Sequence, residues 1–165
     1  MPNILITGNP GCGKSTLMVE LIKEIRPRKR VAGIITPEIK KGGKRYGFKI
    51  IDLASGQEEM LASVDIKPAV ISKYGINIKG IDKIIDKFLE SFENAEVVFI
   101  DEIGKMEFYS EKFREAMEKV FASDKTVVAV LHRSFAEKYK NKGKVIWLER
   151  GKINIVKELI LEKIK

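Results

Sequence analysis

Apolar and polar positions follow two different periods along the chain, and their succession predicts strands and helices in turn. Short apolar runs, typical of buried strands, occur at residues 3–7, 31–36, 97–100, 126–131 and 145–148. Apolar residues at helical spacing occupy residues 17–25, 81–92, 113–121 and 153–164, with a shorter helix predicted over 135–139. Strands and helices that alternate in this order form a mainly parallel sheet with helices on both faces. The sequence therefore predicts a three-layer α/β fold.

One stretch departs from this alternation and predicts antiparallel strands. A polar turn with two glycines, residues 40–45, joins the apolar strand 31–36 to a second strand, 46–53. Two strands joined by such a turn predict a β-hairpin. Residues 60–64 follow another turn, at 55–57, and are a candidate third strand of this patch. We expect a small antiparallel β-hairpin extension on the main sheet.

Length and composition bound the class of protein. The chain has 165 residues, 44% of them hydrophobic, which suits a single domain over 1–165 with its own core. One cysteine, Cys12, permits no internal disulfide, and one histidine, His132, leaves no cluster with zinc-site spacing. We expect a cytoplasmic protein. Glycines and a lysine come too early for a signal peptide, and no apolar run approaches a membrane span, so no membrane association is expected.

The charge balance bears on partners. The chain has 31 Lys and Arg against 23 Asp and Glu, a formal net charge of +8. Lysines alternate with acidic and apolar residues throughout, which favours a solvated surface over a nucleic-acid footprint. The densest basic stretch, residues 26–30, follows a predicted helix, whose dipole favours positive charge there. Nucleic acid is therefore a less favoured partner, and the abundance of Lys and Glu is typical of a thermophilic source.

The segment after the first predicted strand has the spacing of a phosphate-binding loop. The P-loop pattern G-x-x-x-x-G-K-[ST] is matched by Gly8-Asn9-Pro10-Gly11-Cys12-Gly13-Lys14-Ser15. Its glycines let backbone N–H groups wrap around phosphate oxygens, and the helix start adds unpaired donors. Lys14 is expected to reach the β- and γ-phosphates, Ser15 to ligate Mg²⁺, and Thr16 to contact the α-phosphate. The loop predicts binding of nucleoside triphosphates.

A second chemical element comes at the end of the strand 97–100. Four apolar residues precede two acids in Val97-Val98-Phe99-Ile100-Asp101-Glu102, the form of a Walker B strand. Together with Ile103 and Gly104, these residues are assigned to nucleotide binding. Asp101 is expected to hold the Mg²⁺, and Glu102 to orient or deprotonate the attacking water. An acidic helix N-cap would explain one carboxylate more easily than two. The pair therefore favours hydrolysis over binding alone.

Other residues near these motifs leave alternatives open. Asp101-Glu102-Ile103-Gly104 also matches the D-x-x-G of GTPase switches. The partner motif N-K-x-D is missing, because the nearest candidate, residues 141–144, ends in lysine, which cannot accept the hydrogens of guanine. Lys105 follows this turn, where phosphate contact and plain exposure are both open. Guanine selectivity has no support from the sequence.

The strand 126–131 is followed by two more candidates. Arg133 is expected to neutralise γ-phosphate charge, because ligands of open α/β sheets bind at the carboxyl ends of the strands. The alternative is a surface arginine that caps the next helix. His132 is expected to pack at the strand end. Trp147 and Tyr74 are able to stack on a base, although core positions are commoner for aromatic residues.

Several of these segments together resemble one known family. They are Gly8 to Thr16, Val31-Ala32-Gly33 with Thr36-Pro37-Glu38, residues 43–48, and Asp101-Glu102-Ile103-Gly104-Lys105-Met106-Glu107. The chain is similar to the small P-loop nucleoside-triphosphatases of thermophiles, whose human relative is called cancer-related nucleoside triphosphatase. The resemblance implies slow, Mg²⁺-dependent hydrolysis of ATP, GTP and other nucleoside triphosphates to diphosphate and phosphate, with loose base selectivity. It also implies a RecA-like or AAA-like core with an additional strand between the P-loop and Walker B strands.

Two other functions remain alternatives. Small-molecule and nucleotide kinases share the size and the P-loop but usually cover the phosphates with an arginine-rich lid, whereas the only candidate lid, residues 40–45, has one arginine. A nucleotide-dependent switch module linked to nucleic acid is the other alternative. We expect a monomer.

Overall fold

A computed structural model describes residues 3–164 of the protein. The strands are β1 (Asn3–Thr7), β2 (Val31–Ile35), β3 (Glu38–Lys41), β4 (Lys44–Asp52), β5 (Glu58–Ser63), β6 (Gly75–Ile76), β7 (Val97–Ile103), β8 (Thr126–Leu131) and β9 (Gly143–Trp147). The helices are α1 (Lys14–Ile25), α2 (Ile78–Phe92), α3 (Glu111–Ala122), α4 (Ala136–Tyr139) and α5 (Ile153–Ile164), with 3₁₀ turns at Glu107–Tyr109 and Arg133–Phe135. No helix of residues 3–164 has the length and apolar character needed to span a membrane.

The strands form one sheet in the order β6-β5-β4-β2-β7-β8-β1-β9, and β3 pairs with β4. The five strands β2, β7, β8, β1 and β9 are parallel. β8 lies between β1 and β7, which confirms the additional strand of a RecA-like core. The carboxyl ends of parallel strands meet at one edge of a sheet, where α/β proteins bind ligands. The fold therefore brings the segments after β1, β7 and β8 to the same edge.

The antiparallel extension is present, but its hairpin differs from the prediction. The hairpin is formed by β3 and β4, whereas β2 pairs with β4 through only two residues, Ile34 and Ile35. Gly42 and Gly43 have φ values of 56° and 77°, and two residues with positive φ suffice to turn a hairpin. The basic residues on either side therefore belong to strands, and the prediction that residues 40–45 are all turn was wrong.

Apolar side chains of the sheet divide between two cores, one on each face. On one face Val98 and Ile100 of β7 pack with α2 and α3. On the other face Val97 and Phe99 pack with α1 and α5. A central parallel strand is buried on both faces, which is why β7 has an unbroken apolar run. Its first polar residues come where the strand reaches the edge of the sheet.

Candidate active site

The P-loop joins β1 to α1 and is held by the segment that follows β9. Gly13, just before α1, has a φ of 103°, and a Cβ there would lie 2.5 Å from Ile153 Cδ1 of α5. A Cβ on Gly8 would lie 2.7 Å from the carbonyl oxygen of Leu148. Gly8 requires glycine because the backbone of Leu148, just after β9, lies against it, and Gly13 requires glycine because of its positive φ. Ser15 and Thr16 are exposed in the first turn of α1.

Lys14 lies between the P-loop and the two acids of β7. Its Nζ donates to the carbonyl oxygens of Gly8, at 2.8 Å, and Asn9, at 3.4 Å. Its positive charge also acts on the carboxyl groups of Asp101 and Glu102. The structure therefore brings together the lysine and the two acids that the sequence singled out.

β7 continues one residue beyond Glu102, to Ile103, so both acids belong to the strand itself. The four apolar residues before them are fully buried in the two cores: Val97, Val98, Phe99 and Ile100. They belong to the segment assigned to nucleotide binding, and the structure packs their side chains into the two cores, where they support the strand. Ile103 and Gly104 are buried as well. The polar groups of this segment that face the P-loop are Asp101 and Glu102.

Both acids have raised pKa values. Burial raises the pKa of Asp101 to about 7, the neighbouring Glu102 carboxylate adds to the shift, and Lys14 opposes it. Burial also raises the pKa of Glu102, again against the attraction of Lys14. A carboxyl group with a raised pKa is a better proton acceptor near neutral pH. Perturbed acids of this kind cluster at functional sites.

A third acid, Glu107, lies against the same pair and was not among the predicted site residues. It is only 4% exposed. Burial raises its pKa to about 8, the charges of Glu102 and Asp101 add to this, and backbone hydrogen bonds from Gly104 and Glu107 oppose it. A Cβ on Gly104 would lie 3.0 Å from Glu107 Oε2 and 3.4 Å from Glu102 Oε1. Its place at the end of the Asp101–Glu107 motif was the one signal in the sequence.

Thr36, just after β2, fixes the main chain between the two acids. Its hydroxyl donates to the carbonyl oxygen of Asp101 at 2.8 Å and accepts from the N–H of Glu102 at 3.0 Å. The sequence placed Thr36 in the family-like motif but gave it no role. Both hydrogen bonds of the Thr36 hydroxyl go to the backbone of the acids, which makes Thr36 a positioning residue for their side chains.

Basic side chains after β8 complete this edge. Arg133 Nη1 donates to Asn9 Oδ1 of the P-loop at 3.1 Å. His132 is exposed and not packed, and its Nδ1 accepts from the N–H of Ser134, which caps the 3₁₀ turn. Partial burial lowers the pKa of His132, and the positive charges of Lys14, Arg133 and Lys105 add to this effect. Lys14, Arg133 and Lys105 therefore all lie around His132.

Other candidates lie apart from these groups or are already paired. Tyr74 is buried, and its ring lies 5.6 Å from that of Phe48 in an edge-on contact. Arg45, the single arginine of the hairpin, forms an ion pair of 2.8 Å with Glu38. Cys12 is buried beneath the P-loop. Trp147, in contrast, is exposed at the end of β9.

Comparison with known proteins decides the family. A family model described as NTPase matches residues 3–161, almost the whole chain. The chain belongs to the NTPase family. Nucleoside-triphosphatase THEP1 of Methanocaldococcus jannaschii is 39% identical over 163 residues, which are 98% of this chain and 96% of that protein. The protein of the same name from Thermotoga sp. (strain RQ2) is 44% identical over 156 residues, or 92% of this chain and 87% of its own.

Two solved structures share the fold of this NTPase-family chain. The crystal structure of THEP1 from the hyperthermophile Aquifex aeolicus matches with a TM-score of 0.83 and 29% identity, covering 99% of each chain. The solution structure of a human cancer-related nucleoside triphosphatase matches with a TM-score of 0.80 and 23% identity, covering 100% of this chain and 98% of that one. The second likeness concerns the fold alone. The resemblance to the small P-loop nucleoside-triphosphatases is confirmed.

Proposed function

We propose that the protein hydrolyses nucleoside 5'-triphosphates to diphosphate and phosphate, slowly, with Mg²⁺ and with loose base selectivity. The observation that carries the proposal is the pairing of Glu102 with Asp101 beside Lys14, at the edge where the P-loop begins. A module that only bound nucleotide would need the loop but not the second carboxylate. The names of the relatives from Methanocaldococcus jannaschii and Thermotoga agree with this activity.

The P-loop would bind the triphosphate. Its backbone N–H groups and the start of α1 supply donors for the phosphate oxygens. Lys14 exchanges the carbonyl oxygens of Gly8 and Asn9 for the β- and γ-phosphates. Arg133 contacts the same loop through Asn9, which supports the proposal that its guanidinium would neutralise charge that develops on the γ-phosphate. These groups orient the substrate and stabilise charge.

The oxygen donors present fit Mg²⁺. Ser15 offers an exposed hydroxyl in the first turn of α1, and Asp101 offers a carboxylate near the carboxyl end of β7. Mg²⁺ is usually held by one or two protein oxygens together with water and substrate phosphates. When bound, the ion would neutralise charge on the β- and γ-phosphate oxygens. Ser15 and Asp101 are therefore the proposed metal ligands.

Glu102 would act on the water. Its carboxylate orients the water and accepts one of its protons, for which the raised pKa makes it suitable. The water oxygen then forms a bond to the γ-phosphorus as the bond between that phosphorus and the bridging oxygen breaks. The products are the nucleoside diphosphate and inorganic phosphate. Asp101 does not take part in this proton transfer.

The test is release of phosphate and diphosphate from ATP, GTP, CTP and UTP with Mg²⁺, with Lys14→Ala and Glu102→Gln beside the wild type. We expect release from all four substrates. Lys14→Ala should lose binding and turnover, and Glu102→Gln should lose turnover but still bind nucleotide. Glu158→Gln, an exposed acid-to-amide change on α5, is the matched control and should behave as wild type.

The hydrolysis assay separates the role of Glu102 from the activity itself. Wild-type turnover by Glu102→Gln would remove the catalytic role of this residue while leaving the activity intact. Binding of nucleotide without any phosphate release above the variants would mean that the P-loop serves transfer or switching. Transfer of phosphate to a nucleoside monophosphate or a sugar would then identify a kinase.

A further inference from the structure

A cleft of about 530 Å³ opens beside the P-loop, on the side of the edge strand β9. One wall is formed by the P-loop, from Gly8 to Cys12, and the other by residues 147–150. The proposed phosphate chemistry uses the first wall only. The second wall, residues 147–150, is therefore free to contact the part of a nucleotide beyond its phosphates.

The second wall is fixed to the start of the P-loop. β1 and β9 are parallel, with Thr7 directly opposite Trp147. The N–H of Leu148 donates to the carbonyl oxygen of Thr7 at 2.8 Å. The close approach of Gly8 to Leu148 holds the next residue as well. A ligand whose phosphates lie on the P-loop thus has this wall as its neighbour.

Trp147 is the residue of this wall that stands out. It is 57% exposed, although its neighbours Ile146 and Leu148 pack into the core beside α1 and α5. Among the large apolar side chains that are exposed in residues 3–164, Trp147 is the one that lines the cleft. It is also the single tryptophan of the chain. So large an aromatic side chain gains free energy when a ligand covers it, because burial removes its apolar surface from water.

We propose that Trp147 is the platform on which the base of the bound nucleotide stacks. The inference rests on the proposed function, because it takes the phosphates to lie on the P-loop. Stacking of a base on an aromatic ring does not depend on the base's hydrogen-bonding edge, since every base has a π-face. A site that binds the base mainly through one indole ring therefore tolerates all four bases. Stacking on Trp147 would therefore explain the loose base selectivity proposed above.

Fluorescence of Trp147 tests the proposal without turnover. Because the chain has one tryptophan, its emission reports on this position alone. We expect ADP, GDP, CDP and UDP to change the emission on binding with Mg²⁺, with larger changes for the purines. Inorganic triphosphate, which has no base, should displace ADP without producing the change itself. Displacement is measured independently by calorimetry.

Truncation of the ring gives a second, kinetic readout. Trp147→Ala should raise KM for ATP about tenfold or more, as expected for a lost base–aromatic contact, while kcat stays near wild type. Inhibition by inorganic triphosphate should be unchanged in this variant. Trp147→Phe, which keeps a ring face, should recover most of the affinity. Leu159→Ala removes another exposed apolar side chain, on α5, and should change none of these values.

The outcomes separate this proposal from the proposed function. If calorimetry shows that nucleoside diphosphates bind but the emission of Trp147 does not change, Trp147 does not stack on the base, whatever the hydrolysis assay gives. If Trp147→Ala weakens inorganic triphosphate as much as ATP, the residue supports the loop and does not contact the base. If no nucleoside triphosphate is hydrolysed but ADP still changes the emission, the platform stands and the proposed function fails.

Discussion

Thr36 has one hydroxyl that bonds both sides of the peptide between Asp101 and Glu102. Replacing it with valine keeps the side-chain shape but removes both hydrogen bonds, so the two carboxylates lose their alignment. We expect Thr36→Val to lower kcat about tenfold, or about 1.4 kcal/mol, with little change in KM. Steady-state kinetics with ATP measures this split between kcat and KM.

The control for this prediction is Thr36→Ser, which keeps the hydroxyl and should restore most of the wild-type kcat. A general loss of structure would instead lower the melting temperature and affect KM as well. Wild-type kcat in Thr36→Val would show that the strand positions Asp101 and Glu102 without the threonine.

Glu107 makes the stability of the protein depend on pH. Its pKa is about 8 in the folded protein, against 4.5 for an ordinary glutamate, mainly because of burial. Between these values the folded state keeps a proton that the unfolded chain has lost. The free energy of unfolding therefore falls as the pH rises from about 4.5 to about 8, by up to about 1.4 kcal/mol per pKa unit. Below this range the group contributes no dependence.

A neutral side chain at this position removes that loss of stability. Glu107→Gln should unfold with a free energy on the order of 1–3 kcal/mol above wild type at pH 8, and close to wild type at pH 5. Urea unfolding at both pH values measures the difference. Glu158→Gln, on the surface of α5, should show no such dependence. A difference of the same size at pH 5 and pH 8 would contradict a titrating Glu107.

At the scale of the elements, Ser110 both starts α3 and joins it to α2. Its side-chain oxygen accepts from the N–H of Phe113 at 3.1 Å, which caps the helix. The same hydroxyl donates to Asp82 Oδ1 of α2 at 2.6 Å, and the residue is fully buried. Removal of the hydroxyl would leave an unpaired N–H at the helix start and an unpaired carboxylate oxygen on α2.

We expect Ser110→Ala to lower the free energy of unfolding by about 1–3 kcal/mol, through the lost cap and the lost bond to α2. Urea unfolding at pH 7 measures it. Ser123→Ala at the other end of α3 is the matched control, because its hydroxyl bonds only to nearby backbone: it donates to the carbonyl of Val120 and accepts a long bond, 3.4 Å, from the N–H of Lys125. An equal or larger loss in Ser123→Ala would show that the link to α2 has little weight.

The sequence predicted those elements whose burial leaves a pattern. Central parallel strands such as β7 are buried on both faces, so their apolar runs are continuous and easily read. β3 was missed because it is mostly exposed and charged, so its sequence, together with the two glycines that follow, resembles a polar turn. The ion pair between Glu38 and Arg45 joins it to β4 and could not be read from the sequence. β6 has two residues, too few for any periodicity.

Within the site, the local motifs could be predicted from the sequence and the long-range contacts could not. The P-loop and the acids of β7 are local motifs, because phosphate wrapping and a strand-end carboxylate need neighbouring residues. The bond from Thr36 to Asp101 and the bond from Arg133 to Asn9 join residues 65 and 124 positions apart. Glu107 owes its perturbed pKa to burial that no local pattern records. These long-range hydrogen bonds and this burial depend on which strands are neighbours in the folded sheet, which a local sequence pattern does not record.

At the scale of the whole molecule, the basic side chains behind the net charge of +8 do not form one unpaired surface patch in residues 26–30. The densest basic stretch, residues 26–30, lies between the end of α1 and the start of β2, at the sheet edge opposite the P-loop. Arg26 donates to the carbonyl of Leu53, Arg28 to that of Glu24, and Arg30 to that of Asn94. These guanidinium groups are partly occupied by carbonyl oxygens, and the acids of Glu24 and Glu96 lie among them.

This arrangement predicts that nucleic acid does not control turnover. Binding of a polyanion to the basic stretch would occur at the far edge of the sheet, and the parallel strands between the two edges are buried and rigidly packed. We expect single-stranded RNA or duplex DNA to change phosphate release from ATP by less than about twofold, and any binding to weaken steeply with salt, as for phosphate contacts alone. Turnover assays at two salt concentrations, with and without each nucleic acid, measure both effects. Strong stimulation that disappears at high salt would instead favour a nucleotide-dependent switch linked to nucleic acid, and would require a path from residues 26–30 through β2 to Thr36 and the acids it holds.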